Sequence, residues 1–456
     1  MMSYEKLLHR QRVFFRTGET MDYSYRMNAL TALREALVYY KAEIYQALVD
    51  DLNKSPYETF ISEYGLVLRQ ITYVERRLKG WMKPRSKAVG ITGLPGKAYE
   101  LVEPYGIVLI ISPWNYPLSL TMQPLIGAIA AGNCCIIKPS ELSPHTSDVL
   151  VKIISRAFPE KYIATVLGGR EESEALLEQR FDYIFFTGST AVGRSIMEKA
   201  ARHLTPVTLE LGGKSPCIVT ADADVREAAK NIAYGKIMNS GQVCIAPDYA
   251  LVDEKVKDQF CGEFAVQCQK MAGDPLTNPK YPRIISRRHF ERLLGLMEGV
   301  TILSGGRSEP AALKIEPTVL VDVGLDSAVM QEEIFGPLLP VIPYRTLNEA
   351  EEFVRAREKP LALYLFTKSS KTEKRVLNKL AFGGACVNDT ISHISSDGLA
   401  FGGVGQSGMG AYHGIHSFET FSHRKGIYKK YSLFELPMRY QPYGDKINGL
   451  LRFLMK

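Results

Sequence analysis

Between residues 107 and 211, short apolar runs alternate with stretches of helical spacing, and few folds accommodate that texture. Residues 107–111, 134–137, 162–167, 183–186 and 207–211 each read as a short buried strand. Helical stretches separate them: one running to Ala131, then 147–157, 172–179 and 192–202. Strands that are apolar on both faces belong in parallel sheets, where crossover helices cover both sides. The alternation restarts at 216–219 and runs through 318–323, 338–343 and 361–366 to about Asn388. The predicted fold class is therefore α/β, with two open doubly wound sheets plus a small β element.

That small element comes from two excursions outside the alternation. Gly90, Gly93, Pro95 and Gly96 punctuate a stretch with alternating sides, which reads as a β-hairpin. The tail is glycine-rich from Gly398 and becomes strand-like at 426–431. Ahead of the hairpin, residues 1–80 have the spacing of several amphipathic helices. A chain of 456 residues also exceeds one ordinary core. The expected division is a Rossmann-like unit from 1–85 and 105–210, a second α/β unit from 211–417, and a β element from 86–104 and 418–456. Segment 390–417 is left free to return to the first unit.

Composition excludes several classes of function. The net charge of +7 is scattered, with no dense basic block, so no nucleic-acid partner is expected. The seven cysteines include no Cys-x-x-Cys pair, which fits free thiols in a reducing compartment. The longest apolar stretch, 125–137, is too short for a membrane span and contains Asn133. No signal-peptide core opens the chain, and residues 450–456 read as a short amphipathic helix. A cytoplasmic protein without a transmembrane anchor is the expectation. The eight histidines form no HExxH, and no serine elbow is present, so neither a metal nor a serine triad is expected.

Doubly wound sheets bind ligands beyond the carboxyl ends of their strands, where this chain places its unusual residues. Pro113-Trp114-Asn115 follows the first strand, Lys138-Pro139-Ser140-Glu141 the second, and Phe186-Thr187-Gly188-Ser189-Thr190-Ala191-Val192-Gly193 ends the fourth. The last of these suits a phosphate at a helix N-terminus, although an ordinary capped turn reads equally well. Glu141 can accept ribose hydroxyls and Lys138 can donate to them; a surface ion pair is the plain alternative. Asn115 reads either as a helix N-cap or as a donor to an oxyanion. Glu210, between Leu209 and Leu211, suits general-base work if buried, or else pairs with Lys214. Glu333 reads either as a helix-start charge or as a grip on a ribose, with Phe335 against a flat ring.

One thiol stands apart from the other six. In Gly241-Gln242-Val243-Cys244-Ile245-Ala246-Pro247 it lies between a glycine that permits a tight bend and a proline that blocks a helix. A lone cysteine is usually a small buried hydrophobe; this one sits on a junction that presents it.

In order, Pro113-Trp114-Asn115, Lys138-Pro139-Ser140-Glu141, Phe186-Thr187-Gly188-Ser189, Leu209-Glu210-Leu211-Gly212-Gly213-Lys214, Gly241-Gln242-Val243-Cys244 and Glu333-Ile334-Phe335-Gly336-Pro337 resemble the motifs of the NAD(P)-dependent aldehyde dehydrogenase superfamily. The endings Gly408-Met409-Gly410-Ala411-Tyr412-His413-Gly414 and Ser417-Phe418-Glu419-Thr420-Phe421-Ser422-His423 look like its class 3 branch. The resemblance implies oxidation of medium- to long-chain aliphatic or aromatic aldehydes to carboxylic acids. It implies Cys244 as nucleophile, Asn115 and the Cys244 N–H as oxyanion donors, and Glu210 as the base that activates water. Glu333 and Phe335 would place the nicotinamide end, Lys138 and Glu141 the adenosine, and Thr187, Gly188, Ser189 and Gly193 the pyrophosphate. The implied cofactor is NAD, with NADP left open, and the implied assembly is a homodimer. Tyr116, Met238 and Phe401 are expected in the substrate wall, with Tyr234 where class 3 relatives carry tryptophan. Three alternatives stay open: coenzyme A as acyl acceptor, a non-catalytic member of the fold, and ester hydrolysis as a side activity.

Overall fold

The computed structural model describes residues 4–90 and 93–432, together with 441 and 449. It opens with helices α1 (Tyr4–Phe15), α2 (Tyr23–Tyr39), α3 (Lys41–Leu52), α4 (Pro56–Thr59) and α5 (Gly65–Trp81). Local chemistry sets several of their ends. The Asp22 carboxylate accepts from the N–H groups of Ser24 and Tyr25 at the head of α2. Asn53, at φ 55°, ends α3 in the left-handed region, and Ser55 caps α4 ahead of Pro56. A single π-helical turn, Phe60–Tyr64, joins α4 to α5.

Strands β1 (Arg85–Lys87) and β2 (Gly96–Pro104) then pair antiparallel, from Arg85 opposite Glu100 to Lys87 opposite Ala98. The first large sheet follows, from β3 (Ile107–Ile111), β4 (Cys134–Lys138), β5 (Ile163–Thr165), β6 (Tyr183–Thr187) and β7 (Val207–Glu210). Helices α6 (Ser119–Ala131), α7 (Pro144–Ala157), α8 (Arg170–Leu177) and α9 (Thr190–Ala201) supply the crossovers. All five strands are mutually parallel, and every residue of β3, β4 and β6 is buried. The texture expected of a doubly wound sheet is thus realised. Helix α7 begins three residues earlier than its spacing suggests. The reason is tertiary: the buried Asp51 carboxylate, on α3, accepts from the N–H groups of His145 and Thr146 at 3.2 and 2.8 Å.

The second sheet draws on β8 (Pro216–Val219), β9 (Tyr249–Asp253) and β10 (Thr301–Ser304), with helix α10 (Val225–Ile237) between the first two. After a small ribbon, β11 (Ser308–Glu309) with β12 (Lys314–Ile315), come β13 (Thr318–Val321), β14 (Leu338–Tyr344), β15 (Ala362–Phe366) and β16 (Gly384–Val387). The order is β10-β13-β14-β9-β8-β15-β16, parallel except where β10 meets β13. The edge strands β10 and β16 have no clear apolar run in the sequence, because an edge strand need bury little.

The tail crosses back twice. Strand β17 (Gly408–Met409) joins the first sheet antiparallel to β7, with Gly408 opposite Glu210. Strand β18 (Ser422–Lys430) pairs with the whole of β2, from Ser422 opposite Pro104 to Lys430 opposite Gly96. It starts earlier than the strand-like 426–431, because β2 offers partners that far. Beneath this crossing, Phe185 packs on Tyr412 and Phe421 with ring centroids 5.1 and 5.7 Å apart. Among the described residues no helix is long and apolar enough to cross a membrane. The amphipathic stretch 450–456 lies outside the described residues.

Candidate active site

Beyond Ile237 the chain cannot continue as helix. Asn239 and Ser240 sit at φ 49° and 52°, and Gly241 at φ 71°. A Cβ on Gly241 would lie 2.3 Å from the carbonyl oxygen of Gly336, so only glycine fits this turn. Gln242 locks the loop from inside. Its Nε2 donates to the carbonyls of Asn239 and Arg283 at 2.9 and 3.0 Å, and its Oε1 accepts from Ile285 N–H at 3.0 Å. Cys244 follows, part-exposed, at the meeting of two cavities of about 480 and 140 Å³. It is the one cysteine of the seven that is not buried. Burial of the sulfur, then the carboxyls of Glu333 and Glu210, push its thiol up to about 12. The backbone N–H groups of Cys244 and Ile245 pull the other way.

Asn115 reaches the same place from β3. Its Nδ2 donates to the Gln242 carbonyl at 3.0 Å, which leaves its second N–H toward the larger cavity that it lines. It is not a helix N-cap. Helix α6 starts at Ser119, and a carboxylate from elsewhere, Glu63 Oε2, accepts the Ser119 N–H at 2.8 Å. The Asn115 carbonyl accepts from Lys54 Nζ at 2.8 Å and Asn239 Nδ2 at 2.9 Å. Lys54 also pairs with Glu63 at 2.6 Å, with neither side chain exposed. Breaking one side of such a buried pair typically costs about 3–5 kcal/mol.

Glu210 closes β7 and lines the larger cavity. It is 2% exposed, and neither carboxylate oxygen has a hydrogen-bond partner among the described residues. Burial alone raises its carboxyl well above the ordinary range. The alternative pairing with Lys214 does not form. That lysine pairs with Asp248 and donates to the carbonyls of Val329 and Glu332 at 2.8 and 2.9 Å.

Thr187, Gly188, Ser189, Glu333 and Phe335 complete the larger cavity. The Thr187 hydroxyl is buried without a partner among the described residues, and Ser189 caps α9. Burial and then Asp248 raise the Glu333 carboxyl to about 8. Trp114 packs edge-on to Phe335 at 5.3 Å and against His289 at 5.1 Å. His289 and Arg292, both lining residues, carry no motif, so nothing in the sequence singles them out. Gly193 is not part of the wall. A Cβ there would meet Leu211 Cδ2 at 2.6 Å, so this glycine sets how closely α9 approaches the end of β7. Lys138 and Glu141 lie apart from Cys244. Lys138 is buried, its Nζ 3.5 Å from the half-exposed Glu141, and burial lowers its pKa. Glu141 borders a separate cavity of about 180 Å³ with Ser140, Leu167 and Gly168.

The smaller cavity is apolar. Tyr116 and Met238 line it as expected, joined by Ile61, Leu66, Ile391 and Ile394. Two expected wall residues are elsewhere. Tyr234 is 40% exposed on α10 and outside the lining. Phe401 is buried between the rings of His393 and His413, at 5.9 and 5.2 Å, and bridges to Tyr412. A further cavity of about 590 Å³, beside Gly213, Arg357 and Lys359, shares Glu333 but neither Cys244 nor Glu210.

The geometry supports thiol addition to a carbonyl, with a donor for the oxygen on one side and an unpaired buried carboxyl on the other. Known proteins place the chain in one family. The aldehyde dehydrogenase family model matches residues 4–427. The 4,4'-diaponeurosporen-aldehyde dehydrogenase of Staphylococcus aureus is 43% identical over 98% of both chains. Aldehyde dehydrogenase family 3 member B1 of Rattus norvegicus is 44% identical over 98% of this chain and 96% of its own. Among solved structures, the substrate-bound state of Staphylococcus aureus AldH superposes with a TM-score of 0.96 at 42% identity, covering 100% of this chain and 99% of that one. An indole-3-acetaldehyde dehydrogenase of P. syringae in complex with NAD+ gives a TM-score of 0.84 at 25% identity, covering 94% and 88%.

Proposed function

The chain belongs to the aldehyde dehydrogenase family, and from that premise we propose that Cys244, Asn115 and Glu210 carry the oxidation of medium- to long-chain aliphatic or aromatic aldehydes to carboxylic acids. One observation bears most of the weight. Cys244 stands where an apolar cavity meets one walled by Glu210, Glu333 and Phe335.

The residues of the larger cavity fit a dinucleotide. A buried threonine hydroxyl without a partner, a capped helix N-terminus at Ser189 and the Trp114–Phe335 aromatic wall suit phosphate, ribose and a flat ring. Thr187, Gly188 and Ser189 would hold the pyrophosphate, Glu333 and Phe335 the nicotinamide ribose and ring, and Lys138 and Glu141 the adenosine ribose, with Gly193 acting only through helix packing. Bound there, NAD or NADP would supply the hydride acceptor for oxidation to the thioester level.

The chain's own residues supply the remaining chemistry. The Cys244 sulfur bonds to the carbonyl carbon as the carbonyl pair moves onto oxygen. Asn115 Nδ2 and the Cys244 N–H hold that oxyanion, and the thiol proton leaves to solvent. At the thioester stage Glu210 takes a proton from water. The resulting hydroxide adds to the acyl carbon, the C–S bond breaks, and the proton returns to sulfur. The apolar walls from Ile61, Met238 and Ile391 hold the chain of the aldehyde. NAD is the favoured cofactor, since the Glu141 carboxylate would repel a 2′-phosphate.

Asn115→Ala is expected to slow the first burst of NADH by about 10²- to 10³-fold while changing NAD affinity less than threefold. An unchanged burst would remove Asn115 from the oxyanion site. An aldehyde panel run with both cofactors tests the substrate class. Each added methylene should raise kcat/KM by about fourfold until the apolar cavity is filled, as expected from about 0.8 kcal/mol per buried CH₂. A flat series would argue against this substrate class.

We further assign residues 1–85 and 105–210 to the cofactor unit and 211–417 to the catalytic unit, with segment 390–417 returning to the cofactor unit through β17. The three-stranded sheet is assigned to a homodimer contact, since among the described residues β18 lies at its edge, outside both large sheets. Sedimentation at micromolar concentration should give twice 51.0 kDa. Free thiols throughout fit a cytoplasmic setting.

A further inference from the structure

We propose that Lys54, from the N-terminal helical part, is a positioning residue for Asn115, and that the Lys54–Glu63 pair clamps the turn carrying the oxyanion donor. The proposal rests on the oxyanion reading of Asn115 given above.

The pair holds both ends of one turn. Lys54 Nζ donates to the Asn115 carbonyl at 2.8 Å, and Glu63 Oε2 accepts the Ser119 N–H at 2.8 Å. Between these points Tyr116 lies with its ring centroid 3.8 Å from Lys54 Nζ. The turn therefore displays Asn115 to the larger cavity and Tyr116 to the smaller one, with one buried ammonium behind both. Asn239 Nδ2 supplies a second hydrogen bond to the Asn115 carbonyl at 2.9 Å. With both acceptor positions of that oxygen used, the peptide plane after Asn115 is held from two directions. The bond from Asn115 Nδ2 to Gln242 then fixes the carboxamide.

Lys54 is itself anchored. The preceding residue, Asn53, donates from Nδ2 to the carbonyls of Pro279 and Tyr281 at 3.0 and 2.8 Å. Glu63 sits in the one π-helical turn among the described residues, and such turns recur at functional sites. Stability alone accounts poorly for this pair, because a fully buried ion pair is often no better than well-packed apolar side chains. Its geometry does what an apolar pair cannot, since it fixes a carbonyl and an N–H at the two ends of one turn.

A double-mutant cycle on the whole enzyme separates positioning from bulk structure. Lys54→Met combined with Glu63→Gln removes both charges of the pair, and Glu63→Gln alone leaves Lys54 facing the buried Glu58 carboxyl. Each is made with Asn115 present and with Asn115→Ala, and the NADH burst rate and NAD affinity are measured by stopped flow and fluorescence titration. With Asn115 present, the burst is expected to fall about 10- to 100-fold for the paired variant, the scale of a displaced catalytic group. Glu63→Gln should fall by a smaller factor in the same direction. In the Asn115→Ala background either change should cost less than threefold, and NAD affinity should stay within threefold throughout. Equal losses in both backgrounds, or an unchanged burst with Asn115 present, would overturn the positioning role. Should the paired variant not fold, the same criteria apply to Glu63→Gln. The single variant Asn115→Ala reports separately: if its burst is normal, the oxyanion reading itself fails.

Discussion

Cys244→Ala is expected to abolish aldehyde oxidation while the protein still folds and still binds NAD. Losing a covalent nucleophile costs on the order of 10⁶-fold in turnover in the best-studied hydrolase case, and no neighbouring group can substitute here. The other six cysteines are all buried, and among the described residues none of them lines either cavity that Cys244 joins. The fold should tolerate the change, because Cys244 is part-exposed and the loop is held by Gln242 and Gly241 rather than by sulfur. Aldehyde-dependent NADH absorbance and a titration of NAD fluorescence quenching read the two halves of the prediction. Residual turnover above about a thousandth of the parent's would take Cys244 out of the chemistry.

The second large effect divides the catalytic cycle. With Glu210→Gln, the first equivalent of NADH should form at nearly the parent rate, followed by steady-state turnover slower by about 10²- to 10⁴-fold, the usual contribution of a general base. The substitution preserves shape and removes a group with no hydrogen-bond partner, so little else should change. A pH profile adds a second test. Burial raises the Glu210 carboxyl well above the ordinary range, and only its deprotonated form accepts a proton from water. Turnover limited by thioester hydrolysis should therefore climb as pH rises through that raised pKa, and Glu210→Gln should flatten the climb. A burst slowed as much as the steady state would place Glu210 in the first half of the cycle.

Legibility followed the range of the forces involved. Strands β3, β4 and β6 could be read from sequence because each is apolar on both faces, a property carried by consecutive residues. Strand β18 was legible only in part. Its start is set by β2, more than 300 residues earlier in the chain. Asn115 shows the same limit at the site. Its local sequence suited an N-cap, but α6 starts only at Ser119, whose N–H is taken by Glu63 from the π-helical turn. Phe401 and Tyr234 went astray because their positions in sequence say nothing of which way a cavity opens. Phe401 fills a stack between two histidines, and Tyr234 faces outward from α10.

By itself the sequence determined the doubly wound architecture and singled out the candidate site residues. Both are written in short windows: apolar runs between turns, a thiol between glycine and proline, a glutamate closing a strand. Only the tertiary structure decided which walls meet at Cys244, and that Lys54 stands behind Asn115. Its contacts bring Ile61 and Ile391 to one cavity and residue 54 to residue 115. A cavity or a buried charge is defined by what surrounds it in space, and neighbours distant along the chain leave no periodicity to read.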